Sequence, residues 1–217
     1  MRIKELYPNL YYVKFKSQYL MAMTFLRVQE YYESSFESIK GQYFPLEDYM
    51  DLYAKTYGNF TYPQDWSGFN IPGNVYIKWA ETFWSMSDIS EKEIRLYKRM
   101  LPIIKKNGKN FYIISALNKI DLEHEIAHGL YYLNEEYKKE IDSLLLSNTK
   151  FYKDFKRKLN DMGYADSVTT DEIHAYCATQ SVDSLIEDEF IKIGTDSICK
   201  KVDEIQNVFV KYAKGIL

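Results

Sequence analysis

Two of the three histidines in the chain stand four apart, in His124-Glu125-Ile126-Ala127-His128. In a helix, residues four apart differ by about 40° in direction, so both imidazoles leave one face roughly a turn from each other. That spacing suits two ligands of one tetrahedral zinc ion. Glu125, beside the first histidine, is placed to lean toward an open coordination position, take a proton from a metal-activated water and pass it to a leaving amine. A random ordering of this composition produces HExxH roughly 0.3% of the time, so the surroundings decide. In DLEHEIAHGLYYL, Leu122, Ile126, Leu130 and Leu133 form an apolar stripe, Asp121 supplies an acid near the helix start, and a strand-like run precedes it. The competing reading is a surface helix with incidental histidines.

A zinc peptidase site of this kind needs a third protein ligand and leaves the fourth position to water. The extended pattern HExxHxxGxxH is excluded, because Tyr131 and Asn134 occupy its glycine and third-histidine positions. A glutamate from a second, antiparallel helix, with a small residue three positions later, is met by Glu172 and Ala175 in Asp-Glu-Ile-His-Ala-Tyr. Thr169 and Glu172 also read as a capping box, which would bend the glutamate back to the helix start; a cap at Thr170 removes that conflict. Asp171, His174 and Asp183 are the other candidates for the third ligand, although His174 lies about 200° around the helix from Glu172. With Glu172 as ligand, Asp171 should face away, and Ala127 and Ala175 should let the two helices approach closely.

HEIAH and DEIHAY, within the stretch from Glu123 through Glu187, together resemble the gluzincins, zincins that use two HExxH histidines and a downstream glutamate. FLRVQEYYES, DWSGFNIPG, EHEIAHGLYYLNEEYKKE and DEIHAYCAT are more loosely similar to a set of uncharacterised bacterial and phage-type proteins. The gluzincin resemblance implies a zincin-like single domain with a small sheet, an HExxH helix packed against a glutamate-bearing helix, and Zn2+ held by His124, His128 and Glu172. It implies a metallopeptidase cleaving a peptide or protein substrate, with Glu125 as general base. In some gluzincins a tyrosine or histidine donates to the tetrahedral oxyanion; Tyr176 is the first candidate here, then Tyr164 and His174. The position where many gluzincins carry an aspartate to hold the first histidine is Tyr176, which leaves that work to Asp171, Tyr176 or a carbonyl. Residues 110–117 read either as the edge strand on which zincins pair an extended substrate or, equally, as an ordinary core strand. Two other functions fit the same motifs: a non-catalytic interaction module on a zincin scaffold, and a hydrolase of a non-peptide amide.

The elements that must carry these residues follow from composition and pattern. A chain of 217 residues, 46% hydrophobic and 27% charged, can bury a sizeable core. With 28 basic against 31 acidic residues there is no basic field to hold nucleic acid or an anionic membrane surface. Two cysteines, Cys177 and Cys199, make no disulfide framework, and no targeting or membrane-spanning segment is read, so a cytoplasmic setting is expected. The 21 tyrosines read first as core residues and second as the lining of a recognition groove.

The pattern predicts a strand at 9–15 and helices at 18–33, from Pro45 to Gly58, and at 74–84. A capping box of Ser90 and Glu93 starts a helix that runs to Gly108. Further helices are expected at 120–133, at 134–146, from Thr149 to a stop at Gly163, at 169–186 and at 195–214. Residues 59–73 read as a long ordered loop in which Trp66, Gly68 and Asn70 could cap a cleft. Lysines at 104–109 and 153–158 read as solvated helix faces. The expected organisation is one domain over 1–217, of mainly α (α+β) class, with an N-terminal helical part over 1–109 and a metal-site part over 110–217.

Overall fold

The computed structural model describes the chain from Met1 to Ile216 apart from positions 85, 87, 148, 163–165, 167 and 193. Among the described residues, eleven helices and four strands give the mainly helical α+β fold that the sequence predicts. They form two compact units, Met1–Leu122 and Glu123–Leu217. No helix among the described residues is long and apolar enough to cross a membrane.

The first unit holds the sheet, in the order β1-β2-β4-β3. Strands β1 (Arg2–Tyr7) and β2 (Leu10–Lys14) form an antiparallel hairpin, turned at Asn9, which takes a left-handed φ of 70°. A long excursion separates the hairpin from β3 (Gly68–Pro72) and β4 (Tyr112–Ala116). β4 runs parallel to β2 and antiparallel to β3, so both of its backbone edges are paired and all five of its residues are buried. Of the two readings of 110–117, the core strand holds and the edge strand does not: the edges are β1 and β3. The loop expected over 59–73 is likewise corrected, since it folds into α3 (Tyr62–Asp65) and β3.

Against this sheet the chain lays helix α1 (Gln18–Glu33), capped by the Ser17 hydroxyl, which accepts from the Leu20 amide. Met21 to Tyr31 are buried without a break, which makes α1 the central helix of its unit, and Arg27, Gln29 and Glu30 are buried with it. α2 (Leu46–Tyr57) begins after Pro45 and ends at Gly58, whose φ of 90° only glycine adopts at little cost. α4 (Gly73–Phe83) starts where a Cβ on Gly73 would stand 2.7 Å from the carbonyl oxygens of Lys109 and Phe111, so the helix start needs glycine. α5 (Glu91–Asn107) carries the expected capping box of Ser90 and Glu93. Rings of Tyr49, Tyr53, Tyr62, Phe69 and Phe83 fill the space between, so in this unit the tyrosine excess is largely core.

The second unit is helical. α6 (Lys119–Leu133) brings HEIAH into it, and Asn134 ends that helix by capping α7 (Glu135–Leu146), its Oδ1 accepting from the Glu136 and Tyr137 amides. α8 (Thr149–Asp161) follows; the Gly163 expected to stop it lies outside the described residues. The helix expected over 169–186 is instead two, α9 (Thr169–Thr179) and α10 (Val182–Glu187). Gln180 turns extended, Ser181 caps the new helix by accepting from the Ser184 amide, and the Gln180 carbonyl accepts from Gln206 Nε2 of α11 (Asp196–Ala213). The break costs no backbone partner at that carbonyl. α9 packs most closely on α8 and α11, and Phe155, Ile173, Cys177, Val202, Ile205 and Phe209 are buried in this unit.

Candidate metal centre

Helix α6 is buried from Glu125 through Tyr131, so the reading of HEIAH as an incidental feature of a surface helix fails. The Nε2 atoms of His124 and His128 face each other at 3.1 Å. Glu172 of α9 completes the group: its Oε1 is 3.7 Å from Nε2 of His128, and its Oε2 is 3.9 Å from Nε2 of His124. The three residues offer ligand atoms that all lie within 4.8 Å of one another, so the cluster can hold a metal ion. Donors about 2.0–2.1 Å from a tetrahedral ion would be separated by roughly 3.3 Å. The histidine pair matches that spacing, and the carboxylate lies about half an ångström outside it.

Glu172 is free to face the histidines because the helix starts one residue earlier than a capping box would require. The N-cap of α9 is Val168, with no side-chain cap, and the Glu172 amide donates to the Val168 carbonyl. Neither Thr169 nor Thr170 is the cap. The hydroxyls of Thr170 and Tyr152 are 2.7 Å apart instead. Ala127 and Ala175 are fully buried as expected, but the close backbone neighbours of α9 are α8 and α11. Its link to α6 includes the contacts of Asp171 and Glu172 with the histidines.

Asp171, expected to face away, is not a member of the ligand group but turns toward His128, with Oδ1 3.0 Å from Nδ1. The N–H does not line up for a hydrogen bond, so this is a close charge contact. His174 is fully buried; its Nδ1 lies 2.8 Å from the Asp171 carbonyl oxygen and 3.2 Å from Asp171 Oδ1, and its Nε2 lies 2.9 Å from the Tyr137 hydroxyl. Both ring nitrogens are thus engaged away from the cluster, and His174 is no oxyanion donor. Asp183 is exposed and outside the ligand group, while Tyr164 lies outside the described residues.

Tyr176, four residues after Glu172, sets its ring edge-on to His124 with centroids 4.9 Å apart, and packs on Phe190 on another side. Glu125 is buried on α6 between the two histidines. The His128 side chain is 2% exposed and that of His124 21%, so the cluster reaches solvent on the His124 side.

The charges are strongly coupled. Burial works against a charge on His128, yet the carboxylates of Asp171 and Glu172, helped by Glu125, outweigh it and push its pKa up to about 10. Burial and repulsion from His128 hold His124 well below the usual histidine value. Burial also raises Glu172 to about 7, against the pull of His128. Asp171 is buried too, but His128 and His174 hold it far below the carboxylate range. One proton therefore sits in the histidine pair, where it offsets part of the charge of three buried or half-buried carboxylates. A metal cation bound to both Nε2 atoms must displace it.

The sequence does not single out Tyr137 as a neighbour of the cluster, because its partner His174 is 37 positions away and on another helix. Comparison of the chain with family models, curated proteins and solved structures finds no match.

Proposed function

We propose that the unit Glu123–Leu217 is a zinc-dependent hydrolase of the gluzincin type that cleaves a peptide or protein amide bond. The observation that carries this reading is the Glu172 carboxylate lying against Nε2 of both HEIAH histidines. Two imidazoles and one carboxylate are a donor set that suits zinc and leaves a fourth position open. Zinc held by His124, His128 and Glu172 would supply Lewis acidity, polarising a substrate carbonyl and making water more acidic.

The chain's own groups do the rest. Glu125 accepts the proton of the attacking water and delivers it to the leaving amine. Tyr176, beside the more exposed of the two histidines, donates to the oxygen on which negative charge develops. Burial keeps bulk water from the inner side of the cluster at His128.

The test is metal content and cleavage in three proteins. The purified chain should contain one zinc, and His128→Ala should fall well below half of that. Glu125→Gln should keep its zinc and lose cleavage of a proteome-derived peptide library by several orders of magnitude, since an amide cannot take the proton. Undiminished zinc in His128→Ala would remove the metal reading. Equal, background-level cleavage by the wild type and Glu125→Gln would leave a metal-binding interaction module in its place.

A further inference from the structure

Behind the ligand cluster lies a second set of polar groups that the proposed reaction does not use. His174 is fully buried, and its hydrogen bonds fix its tautomer. Nδ1 faces two acceptors, the carbonyl and Oδ1 of Asp171, at 2.8 and 3.2 Å, so it carries the hydrogen. Nε2 is then the acceptor for the Tyr137 hydroxyl at 2.9 Å. The same Oδ1 of Asp171 stands 3.0 Å from Nδ1 of His128. A hydrogen on Nδ1 of His128 is drawn to that carboxylate, which leaves the lone pair of the neutral ring on Nε2, the atom that faces His124 and Glu172. The Tyr131 ring stacks on His174 at 4.8 Å and blocks the imidazole from swinging aside.

We propose that Tyr137, His174 and Asp171 form a buried positioning chain that holds His128 in the orientation and tautomer a metal ion needs. Tyr137 donates to His174, His174 donates to Asp171, and the Asp171 carboxylate stands in close charge contact with Nδ1 of His128. None of the three is a ligand; each acts through the next. Partners that orient a metal-bound histidine in this way typically contribute ten- to a hundredfold in affinity. The chain extends that function two residues further, to a tyrosine on α7. The inference rests on the metal reading above and adds a role for residues outside the ligand set.

The experiment measures Zn2+ affinity of the full chain by competition with a chromogenic chelator, and the visible spectrum of the Co2+-loaded protein, for the wild type and three variants. Asp171→Asn should bind zinc roughly ten- to a hundredfold more weakly. Tyr137→Phe removes one hydroxyl and should cost about fivefold, the equivalent of one neutral hydrogen bond. Its cobalt bands should also shift as His128 loses its fixed orientation. Tyr212→Phe is the control: its ring touches Tyr137, but its hydroxyl donates to Glu140 outside the chain. It should leave both readouts unchanged. Wild-type affinity and spectrum in both Asp171→Asn and Tyr137→Phe would overturn the chain while leaving the metal centre standing. So would equal losses in Tyr137→Phe and Tyr212→Phe, which would mark a packing effect. A wild type that binds no more zinc than His128→Ala would instead remove the metal reading and the chain with it. Should Asp171→Asn fail to fold, Tyr137→Phe against Tyr212→Phe decides alone.

Discussion

Helices α1 and α6 are each buried over a continuous stretch, and each buries charge, but they settle that charge in opposite ways. On α1, Arg27 is 1% exposed and every arm of its guanidinium is used. Nε and Nη2 donate to the two oxygens of Glu93 at 2.8 and 2.7 Å, and Nη1 donates to Asp88 at 2.8 Å. Glu93 also accepts from the Ser90 amide, and Tyr43 donates to Asp88. On α6, two imidazoles turn the same nitrogen toward each other, with a carboxylate that burial holds near pKa 7 across from both. The first cluster is closed by hydrogen bonds from its own unit. The second gathers three possible ligand atoms, from His124, His128 and Glu172, within 4.8 Å of one another. Buried charge that is fully paired needs no ligand, whereas buried lone pairs that converge form a group that can hold a metal ion.

That contrast can be broken by experiment. The largest expected effect on stability is at Arg27. Replacement by Leu leaves Glu93 buried and uncompensated, which should cost about 3–5 kcal/mol in denaturant unfolding and leave zinc affinity unchanged. A mild loss would mean that the α1 cluster is not the closed network described.

Next in size is the pH response of the metal-free protein. His128 keeps its proton in the folded chain up to about pH 10, whereas an unfolded histidine releases it near 6.5. Between pH 7 and 10 the folded state therefore binds more protons than the unfolded one, and stability must fall as pH rises. The loss should be roughly 2–4 kcal/mol. His124 is already neutral throughout that window and adds nothing. His128→Asn should flatten the slope. Over the same range the apparent affinity for zinc should rise with pH, because binding must release the His128 proton. A flat unfolding profile from pH 7 to 10 would show that the proton is not held there.

The smallest effect separates local helix chemistry from either cluster. Ser90→Ala removes the hydroxyl that accepts from the Glu93 amide and should cost about 1 kcal/mol by thermal or denaturant unfolding. A loss as large as that of Arg27→Leu would show that the cap and the ion pair fail together through Glu93.

Much of the second cluster was legible in the sequence because its information is local. Four-residue spacing fixes the direction of His124 and His128, and Glu172 was picked out by the small residue three positions on. The limits of α1 and the box at Ser90 and Glu93 were legible for the same reason, since caps and periodicity act within one or two turns. The rest depends on partners distant in sequence. RIKELY does not read as a strand because it is an edge strand with charged residues outward, and its pairing comes from β2. GFNIP, bracketed by glycine and proline, does not read as a strand because it becomes one only through β4, some forty residues later. β4 reads as a strand from its own apolar run, but whether it lies at an edge or in the middle of the sheet depends on β3. The surroundings of Asp171 are not legible either, because the side chains next to it come from His128 on α6 and from His174, whose Nε2 lies 2.9 Å from the Tyr137 hydroxyl.

The central claim is that Glu172 is drawn to the histidines as a ligand and not as a helix cap. Calorimetric titration of metal-free protein with Zn2+, comparing the wild type with Glu172→Gln, tests it most directly. The expected result is one site in the wild type and an affinity more than a hundredfold weaker in the variant, a loss beyond the ten- to hundredfold typical of outer partners. The metal-free variant should be at least as stable as the wild type, because a buried carboxylate has been replaced by a neutral amide. An unchanged zinc affinity in a folded Glu172→Gln protein would contradict the account.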